Sequence, residues 1–116
     1  LVAASPTDPG AVNIIEAGNR GGYFVGTDGK DDFRGGKGND TFVGGKGDDV
    51  YDGGSGGYDQ VDLMGRLSDY SFTANADGSI TASHAEYGVD VLKNIDGIWV
   101  GEDNMWVSTD DLVTTG

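Results

Sequence analysis

A phrase of nine residues is repeated without a gap near the middle of this chain. Residues 35–43 read GGKGNDTFV and residues 44–52 read GGKGDDVYD. The phrase also occurs, less regularly, as GTDGKDDFR at 26–34 and, with one inserted residue, as GGSGGYDQV at 53–61. So many glycines disfavour helices and weaken long strands. A tandem repeat of this kind instead predicts short units that stack on one another.

When the inserted residue of the last copy is allowed for, each phrase has a glycine at its fourth position, an aspartate at its sixth and an apolar residue at its eighth. These residues are Gly29, Gly38, Gly47 and Gly56; Asp31, Asp40, Asp49 and Asp59; and Phe33, Phe42, Tyr51 and Val61. The apolar ladder continues backwards at the same spacing to Phe24 and Ile15. The array is therefore expected to span residues 13–63.

The spacing also predicts what one unit looks like. Six residues rich in glycine and aspartate form a turn, and three residues around one apolar side chain form a short strand. One such strand buries too little to be stable alone, so the units must stack. Two phrases make one coil, which places alternate phrases on the same side. We expect Phe33 to stack on Tyr51, and Phe42 to lie between Phe24 and Val61.

The same stacking brings carboxylates of alternate loops together. The expected pairs are Asp31 with Asp49 and Asp40 with Asp59. Such pairs, in bends full of bare carbonyl groups, are unfavourable without a cation. Calcium accepts roughly six to eight oxygen ligands in irregular geometry, whereas magnesium demands a tight octahedron. Sites without His or Cys also argue against zinc and copper. The phrase is therefore predicted to be a calcium-binding turn.

The charge balance argues against several classes of partner. Asp and Glu total 20 while Lys and Arg total 7, which gives a net charge of −13. A chain this acidic repels nucleic acid and anionic membrane surfaces. No apolar run approaches the roughly 20 residues that span a bilayer. We expect no nucleic-acid partner and no membrane insertion, and the absence of cysteine excludes disulfides and thiol chemistry.

The two central phrases match GGxGxDxUx, the nonapeptide of RTX (repeats-in-toxin, haemolysin-type) proteins, at every specified position. The phrase at 26–34 departs at Thr27, and the phrase at 53–61 carries the insertion. The chain resembles this family. The resemblance implies an all-β fold, a right-handed parallel β-roll, with calcium held between stacked loops. It also implies export by type I secretion machinery and an extracellular location.

Carried over to this sequence, the resemblance implies that the sixth-position aspartates and loop carbonyls hold about two to three Ca²⁺ ions. The implied metal-site residues are Asp31, Asp40, Asp49, Asp59, Asp28, Gly26, Gly29, Gly35, Gly36, Gly38, Gly44, Gly45, Gly47, Gly53, Gly54 and Gly56. A solvated side chain is the alternative for Asp28, and it is the role expected of Asp32 and Asp48. The insertion at Gly57 sets the Asp59 loop apart from the others.

The second half of the chain has a different pattern. Residues 69–84, DYSFTANADGSITASH, predict a hairpin with its turn at NADG. Residues 88–100, GVDVLKNIDGIWV, resemble a segment that often follows RTX repeats in secreted bacterial proteins. MWV at 105–107 predicts a last strand, and STDDLV at 108–113 predicts an N-capped helical turn.

These patterns predict three parts: a linker at 1–12 that leads to an upstream domain, a roll at 13–63, and a β-rich cap at 64–116. The cap would cover the open end of the roll, as solenoids require. The predicted function is calcium-dependent folding and stabilisation at the C-terminus of a larger secreted bacterial protein.

Two alternatives belong to other functional classes. Trp99 and Trp106 could form an exposed surface that binds polysaccharide or a partner, although we prefer that they pack on the hairpin. Alternation along the strand turns Trp99 outward if Ile98 and Val100 face inward. An enzyme is the least favoured interpretation because the sequence has no recognisable nucleophile and base. We expect His84 to have a surface or packing role.

Overall fold

The computed structural model describes residues 2–3 and 13–112, and these residues form strands and short 3₁₀ helices. The strands are β1 (Val2–Ala3), β2 (Asn13–Glu16), β3 (Gly22–Val25), β4 (Asp31–Arg34), β5 (Asp40–Val43), β6 (Val50–Asp52), β7 (Gln60–Leu63), β8 (Tyr70–Ala74), β9 (Ile80–His84), β10 (Gly88–Lys93), β11 (Gly97–Val100) and β12 (Met105–Ser108). The 3₁₀ helices are Leu67–Asp69, Gly101–Asp103 and Thr109–Asp111.

The strands form two six-stranded sheets. The first sheet has the order β1-β3-β5-β7-β11-β12, and the second has the order β2-β4-β6-β10-β9-β8. Through the repeats, successive strands therefore alternate between the sheets, and neighbours within a sheet run parallel. The chain thus winds in coils of two strands and two glycine-rich turns. This arrangement confirms the expected all-β fold, a β-roll.

The apolar ladder has the predicted register. Phe33 is the partner of Tyr51, and their rings stack with centroids 5.0 Å apart. Phe42 lies between its partners Phe24 and Val61. All five side chains are buried between the sheets. A slip of one residue would turn the whole ladder towards solvent, so the aromatic residues fix the register.

The strands after residue 63 extend both sheets. β10 pairs in parallel with β6, so that Leu92 lies on Tyr51, and β11 pairs in parallel with β7, so that Ile98 lies on Val61. Antiparallel strands then follow at the edge of each sheet. Strand pairing and the apolar core therefore continue from the repeats into the cap. The division at residues 63 and 64 stays a prediction about folding units.

The local elements predicted for the second half are present. β8 and β9 form the expected hairpin, and β12 is the expected last strand. The 3₁₀ helix Thr109–Asp111 begins after Ser108, whose hydroxyl accepts a hydrogen bond of 3.3 Å from the Asp110 amide. The predicted N-capped turn is therefore confirmed.

The predicted linker at 1–12 is described only at Val2–Ala3. These two residues pair in parallel with Phe24 and Val25 at the edge of the first sheet. Residues 4–12 lie outside the described residues. None of the helices in the described segments has the length and apolar character that crossing a membrane requires.

Candidate metal centre

The sixth-position aspartates lie inside the roll, where charged side chains are rarely found. Asp31, Asp40, Asp49 and Asp59 are each at most 2% exposed. Each precedes a ladder residue by two positions, and alternation along a strand turns both side chains to the same inward face. The repeat therefore buries one carboxylate together with each apolar side chain.

The structure brings together the aspartate pairs that the sequence predicts. The amide of Asp31 donates a hydrogen bond of 2.9 Å to Oδ1 of Asp49, one coil further along. The amide of Asp40 donates in the same way to Oδ1 of Asp59, also at 2.9 Å. One oxygen of each receiving carboxylate thus holds the backbone of the preceding coil, and the other oxygen remains for another partner.

That other oxygen lies against the glycine that begins its own loop. A Cβ atom at Gly44 would lie 2.5 Å from Oδ2 of Asp49, and one at Gly53 would lie 2.6 Å from Oδ2 of Asp59. Both separations are shorter than a nonbonded contact allows. The first glycine of the phrase is therefore required because the carboxylate occupies the space of a side chain.

The insertion in the last repeat changes which glycine takes the fourth position. Gly57 has a φ of +77°, and a Cβ there would collide with the carbonyl oxygen of Gly38, the fourth-position glycine one coil earlier. Gly56, to which the repeat pattern assigns that position, lies instead beside the backbone of Lys37. The signal for this shift is the Gly-x-Asp spacing, which Gly57 and Asp59 share with the other phrases.

The well-matched repeats contain buried oxygens with no protein partner. Among the described residues, both carboxylate oxygens of Asp40, Oδ2 of Asp49 and the hydroxyl of Tyr51 are buried and have no hydrogen-bond partner. An unpaired buried polar group costs about 1–3 kcal/mol, and a charged one costs more. Carboxylate oxygens that lack donors are the ligands that calcium prefers. The residues present therefore fit a calcium ion.

Asp31, in the loop that departs from the phrase, is satisfied by the protein itself. Its Oδ2 accepts a hydrogen bond of 2.8 Å from the Thr27 amide, and its Oδ1 accepts one of 3.0 Å from the Thr27 hydroxyl. The side-chain amide of Asn13 also donates to Oδ1, at 3.3 Å. The residue that breaks the repeat pattern thus supplies a donor that the regular loops lack.

Burial changes the proton affinity of these carboxyls. It raises the pKa of Asp49 to about 9, with a further contribution from the neighbouring Asp90 carboxylate. Burial likewise raises the pKa of Asp59 and of Asp90 to about 7, and it raises the pKa of Asp40. Without a counter-charge, part of the ladder therefore retains protons near neutral pH.

Two aspartates of the cap extend the ladder, and the sequence analysis missed them. The amide of Asp49 donates a 2.9 Å hydrogen bond to Oδ1 of Asp90, and the amide of Asp59 donates a 2.8 Å bond to Oδ2 of Asp96. A signal was available in the sequence. GVDVL at 88–92 repeats the Gly-x-Asp-x-apolar half of the phrase.

The other acidic residues of the loops lie nearer the surface. Asp28 is exposed, and Asp32 forms an ion pair of 3.0 Å with Arg34. Asp48 is exposed too, and its Oδ1 accepts a hydrogen bond of 2.7 Å from the Val89 amide. Asp48 therefore helps to fix the cap on the repeats.

His84 and the tryptophans have structural surroundings that the sequence did not fully predict. His84 is buried and packs between Tyr70 and Tyr87, which confirms its packing role.

The tryptophans lie on the outer face of the first sheet. Trp99 faces outward as predicted, between the buried residues Ile98 and Val100. Trp106 is 40% exposed and stacks on Tyr58 with ring centroids 5.9 Å apart. The expected packing on the hairpin was wrong, because both tryptophans lie in the first sheet whereas the hairpin extends the second.

Backbone carbonyl oxygens would have to provide many of the ligands of a cation site. Within residues 2–3 and 13–112, no three His, Cys, Asp or Glu side chains converge where they could hold a metal. The stacked loops offer carbonyl groups instead. A Cβ at Gly47 would lie 2.5 Å from the Gly29 carbonyl oxygen, which shows how closely successive loops approach each other.

Comparison with known families agrees with this geometry. The RTX calcium-binding nonapeptide repeat family matches residues 25–58, with four copies of the repeat. No curated protein matches the chain. The matched range contains the first three predicted phrases with Asp31, Asp40 and Asp49, and the first six residues of the fourth. It ends one residue before Asp59, and the outer ladder residues and the cap also lie beyond it. Residues 25–58 of this chain are therefore RTX calcium-binding nonapeptide repeats.

Proposed function

We propose that this β-roll is a calcium-dependent folding and stabilisation module of a larger secreted bacterial protein. The observation that carries the proposal is the set of buried, unpartnered carboxylate oxygens of Asp40 and Asp49. Bound calcium would supply the positive charge and the coordination that these oxygens lack. Within the folded chain, Oδ1 of Asp49 accepts the Asp31 amide, and the backbone amide of Asp40 donates to Asp59, so both residues also hold stacked coils together.

The proposed ligands are the sixth-position aspartates and backbone carbonyls of the loops, which together hold about two to three ions. The aspartates are Asp31, Asp40, Asp49 and Asp59. The loop glycines are Gly26, Gly29, Gly35, Gly36, Gly38, Gly44, Gly45, Gly47, Gly53 and Gly54, with Gly56 and Gly57 in the last loop. Asp28 is exposed, unlike the four buried aspartates of the ladder, so a solvated side chain fits it better than a calcium ligand.

Glycine content explains why folding would depend on the ion. Residues 26–57 contain 12 glycines. Ordering them costs roughly 6–12 kcal/mol more than ordering alanines. The apolar ladder is short, and unpaired buried charge opposes folding further. Each calcium ion bound only to the folded state shifts this balance towards the roll.

The same balance links the fold to secretion. Extracellular calcium modules bind at about 10⁻⁴–10⁻³ M, far above cytosolic calcium. The chain would therefore stay unfolded in the cell, pass through type I secretion machinery and fold outside. RTX repeats are typical of secreted bacterial proteins and are a non-catalytic type of domain, so we propose a module that is not an enzyme.

A calcium titration followed by circular dichroism tests this function. We expect β-type ellipticity to increase between the high micromolar and the millimolar range of calcium, with little response to magnesium, whose octahedral demand the loops do not meet. A spectrum in chelator identical to that in calcium would contradict the proposal.

Polysaccharide binding is a second candidate function, favoured by the stacked and exposed pair Tyr58 and Trp106. Tyr58 borders a cleft of about 450 Å³ that Asn94, Asp96 and Ser108 also line. None of the described residues lining the cleft is Lys or Arg. Flat aromatic rings bind the apolar face of a sugar, and the amide and carboxylate oxygens accept hydroxyl hydrogens. A neutral glycan fits this surface better than an anionic one.

Affinity electrophoresis in hydroxyethyl cellulose, with alginate as the anionic comparison, tests this candidate in calcium. Trp106→Ala should abolish the retardation that the neutral polymer causes, because Trp106 stacks on Tyr58 beside the cleft. Tyr23→Ala should not, because Tyr23 is an exposed aromatic residue of β3 that takes no part in this stack. Unretarded migration of the folded wild-type chain in the neutral polymer would exclude this function.

A further inference from the structure

The hydroxyl of Tyr51 distinguishes the last aromatic step of the ladder from the others. Tyr51 follows Phe24, Phe33 and Phe42 along the repeats, and the side chain is fully buried. Its hydroxyl has no hydrogen-bond partner within residues 2–3 and 13–112. A phenylalanine would fill nearly the same space without burying an unsatisfied polar atom. Because an unsatisfied buried hydroxyl is costly, its presence here points to a ligand that satisfies it.

The hydroxyl lies beside another unpartnered oxygen. Both the Tyr51 hydroxyl and Oδ2 of Asp49 approach Gly44 so closely that a Cβ there would meet each of them. Oδ2 of Asp49 is also buried, and no donor in the described part of the chain reaches it. Two orphaned oxygens from different side chains therefore converge on one buried point at the end of the repeats.

Asp90 of the cap adds a second carboxylate to this point. β10 lies on β6 with Leu92 on Tyr51, so Asp90, two residues before Leu92, follows Asp49 on the inward face. Asp90 is buried, and its Oδ1 accepts the Asp49 amide. Through this hydrogen bond the Asp90 carboxylate lies against Asp49, the residue whose Oδ2 lies beside the Tyr51 hydroxyl.

The backbone around Asp90 repeats the stacking geometry of the loops. Gly47 has a φ of +94°, and a Cβ there would lie 2.5 Å from the carbonyl oxygen of Gly29. Gly88 has a φ of +100°, and a Cβ there would lie 2.5 Å from the carbonyl oxygen of Gly47. The cap therefore stacks on the last repeat as one repeat stacks on another, although it lies beyond the matched range.

We propose that Asp49, Asp90 and the Tyr51 hydroxyl form a divalent-cation site that joins the last repeats to the cap. Two carboxylates and a neutral hydroxyl are hard oxygen ligands, so calcium is the expected ion. The inference rests on the proposed function, because it adds one ion to the same carboxylate ladder. Asp90 is 41 residues from Asp49, so the ion would make docking of β10 dependent on calcium.

A purely structural role for Tyr51 makes the opposite prediction. If the hydroxyl is only an unsatisfied group in the core, Tyr51→Phe removes the cost of burying it and should ease folding. The calcium concentration at half-folding would then fall. If the hydroxyl is a ligand, the same change should raise that concentration severalfold. The sign of the shift therefore separates the two roles.

The experiment measures the number of calcium ions bound to the full chain by native mass spectrometry, together with a titration followed by circular dichroism. The variants are Tyr51→Phe and Asp90→Asn. Tyr70→Phe is the matched control, because it removes a buried hydroxyl that donates to the Met64 carbonyl at 2.6 Å, outside the ladder. We expect Asp90→Asn to bind one ion fewer, Tyr51→Phe to require more calcium, and Tyr70→Phe to keep the wild-type ion count.

The outcomes separate this inference from the proposed function. A wild-type chain that binds no calcium would contradict the proposed function. A wild-type chain that binds calcium, with an unchanged ion count in Asp90→Asn and a lowered midpoint in Tyr51→Phe, would overturn the joining site alone. If Asp90→Asn does not fold, the direction of the shift in Tyr51→Phe decides, because that variant keeps the shape of the core.

Discussion

At the scale of single residues, the ladder contains two kinds of aspartate. Asp31 has protein donors for both oxygens, from Thr27 and Asn13. In the part of the chain that the structure describes, Asp40 has no donor within hydrogen-bond distance, and Asp49 has none for Oδ2. Removing a charge from Asp40 or Asp49 should therefore affect calcium binding more than the same change at Asp31, although all three positions match in sequence.

Asparagine substitutions test this difference. Asp40→Asn and Asp49→Asn should each raise the calcium midpoint about tenfold, as expected when roughly 1.4 kcal/mol of ion binding is lost. Asp31→Asn should raise it less. Asp77→Asn, in the hairpin turn, should leave it unchanged, because Asp77 bonds only to Ser79 among the described residues. Equal midpoints in all four variants, measured by circular dichroism, would show that the ligand assignment is wrong.

The raised pKa values predict how calcium and protons compete. Burial raises the pKa of Asp49 from 3.8 to about 9 and that of Asp59 to about 7. Between the unfolded and the folded values, the calcium-free fold holds more protons than the unfolded chain. Its stability should therefore be greatest below about pH 4 and fall as pH rises towards these folded values. Calcium requires the ionised carboxylates, so its affinity should change in the opposite direction.

Calorimetry can detect this competition directly. At about pH 4, near the ordinary pKa of aspartate, carboxyls are partly protonated in the unfolded chain as well as in the calcium-free fold. Calcium binding should therefore release protons at this pH, and the observed heat should depend on the ionisation enthalpy of the buffer. Asp49→Asn should release fewer protons than the wild type. A binding heat that is the same in buffers of different ionisation enthalpy would mean that the carboxylates are already ionised before calcium arrives.

At the scale of elements, the sequence predicts the repeats better than their ends. The nine-residue period placed Phe33 on Tyr51 and paired Asp40 with Asp59, because a strict period leaves only one stacking register. It did not predict that Gly57 takes the fourth position. An inserted residue can be absorbed at several points of a loop, and only the contact with Gly38 shows which point is used.

The cap was predicted in its parts but not in its relation to the roll. The hairpin and the capped turn are local patterns and were found from local signals. The locations of Asp90 and Trp106 depend on which sheet each cap strand joins. Long-range packing determines this pairing, so local sequence patterns do not predict it. β10 adds to β6 and β11 adds to β7, so the cap supplies both further carboxylates and a cover for the core.

A truncation tests whether the cap is needed. A chain that ends at Asp62 retains all four sixth-position aspartates. It should fail to fold, or should require much more calcium, because Leu92 and Ile98 no longer cover Tyr51 and Val61 and the last strands expose unpaired edges. The measurement is a calcium titration of residues 1–62 beside residues 1–116. An unchanged midpoint would make the cap a separate unit.

At the scale of the whole molecule, the net charge and the size of the core both limit the stability of the fold without cations. The net charge is −13, and the core is a narrow ladder between two sheets. A small core with this much like charge is weakly stable unless cations neutralise part of it. The folded roll is therefore expected to be a property of the chain together with calcium.

Amide hydrogen exchange with and without calcium tests this claim most directly, because it reports on each strand separately. In millimolar calcium, the amides of β4, β5, β6 and β7 should be protected together with those of β10 and β11. In chelator, protection should be lost across the repeats and the cap strands that stack on them. Protection of these strands that is the same in chelator as in calcium would contradict the account.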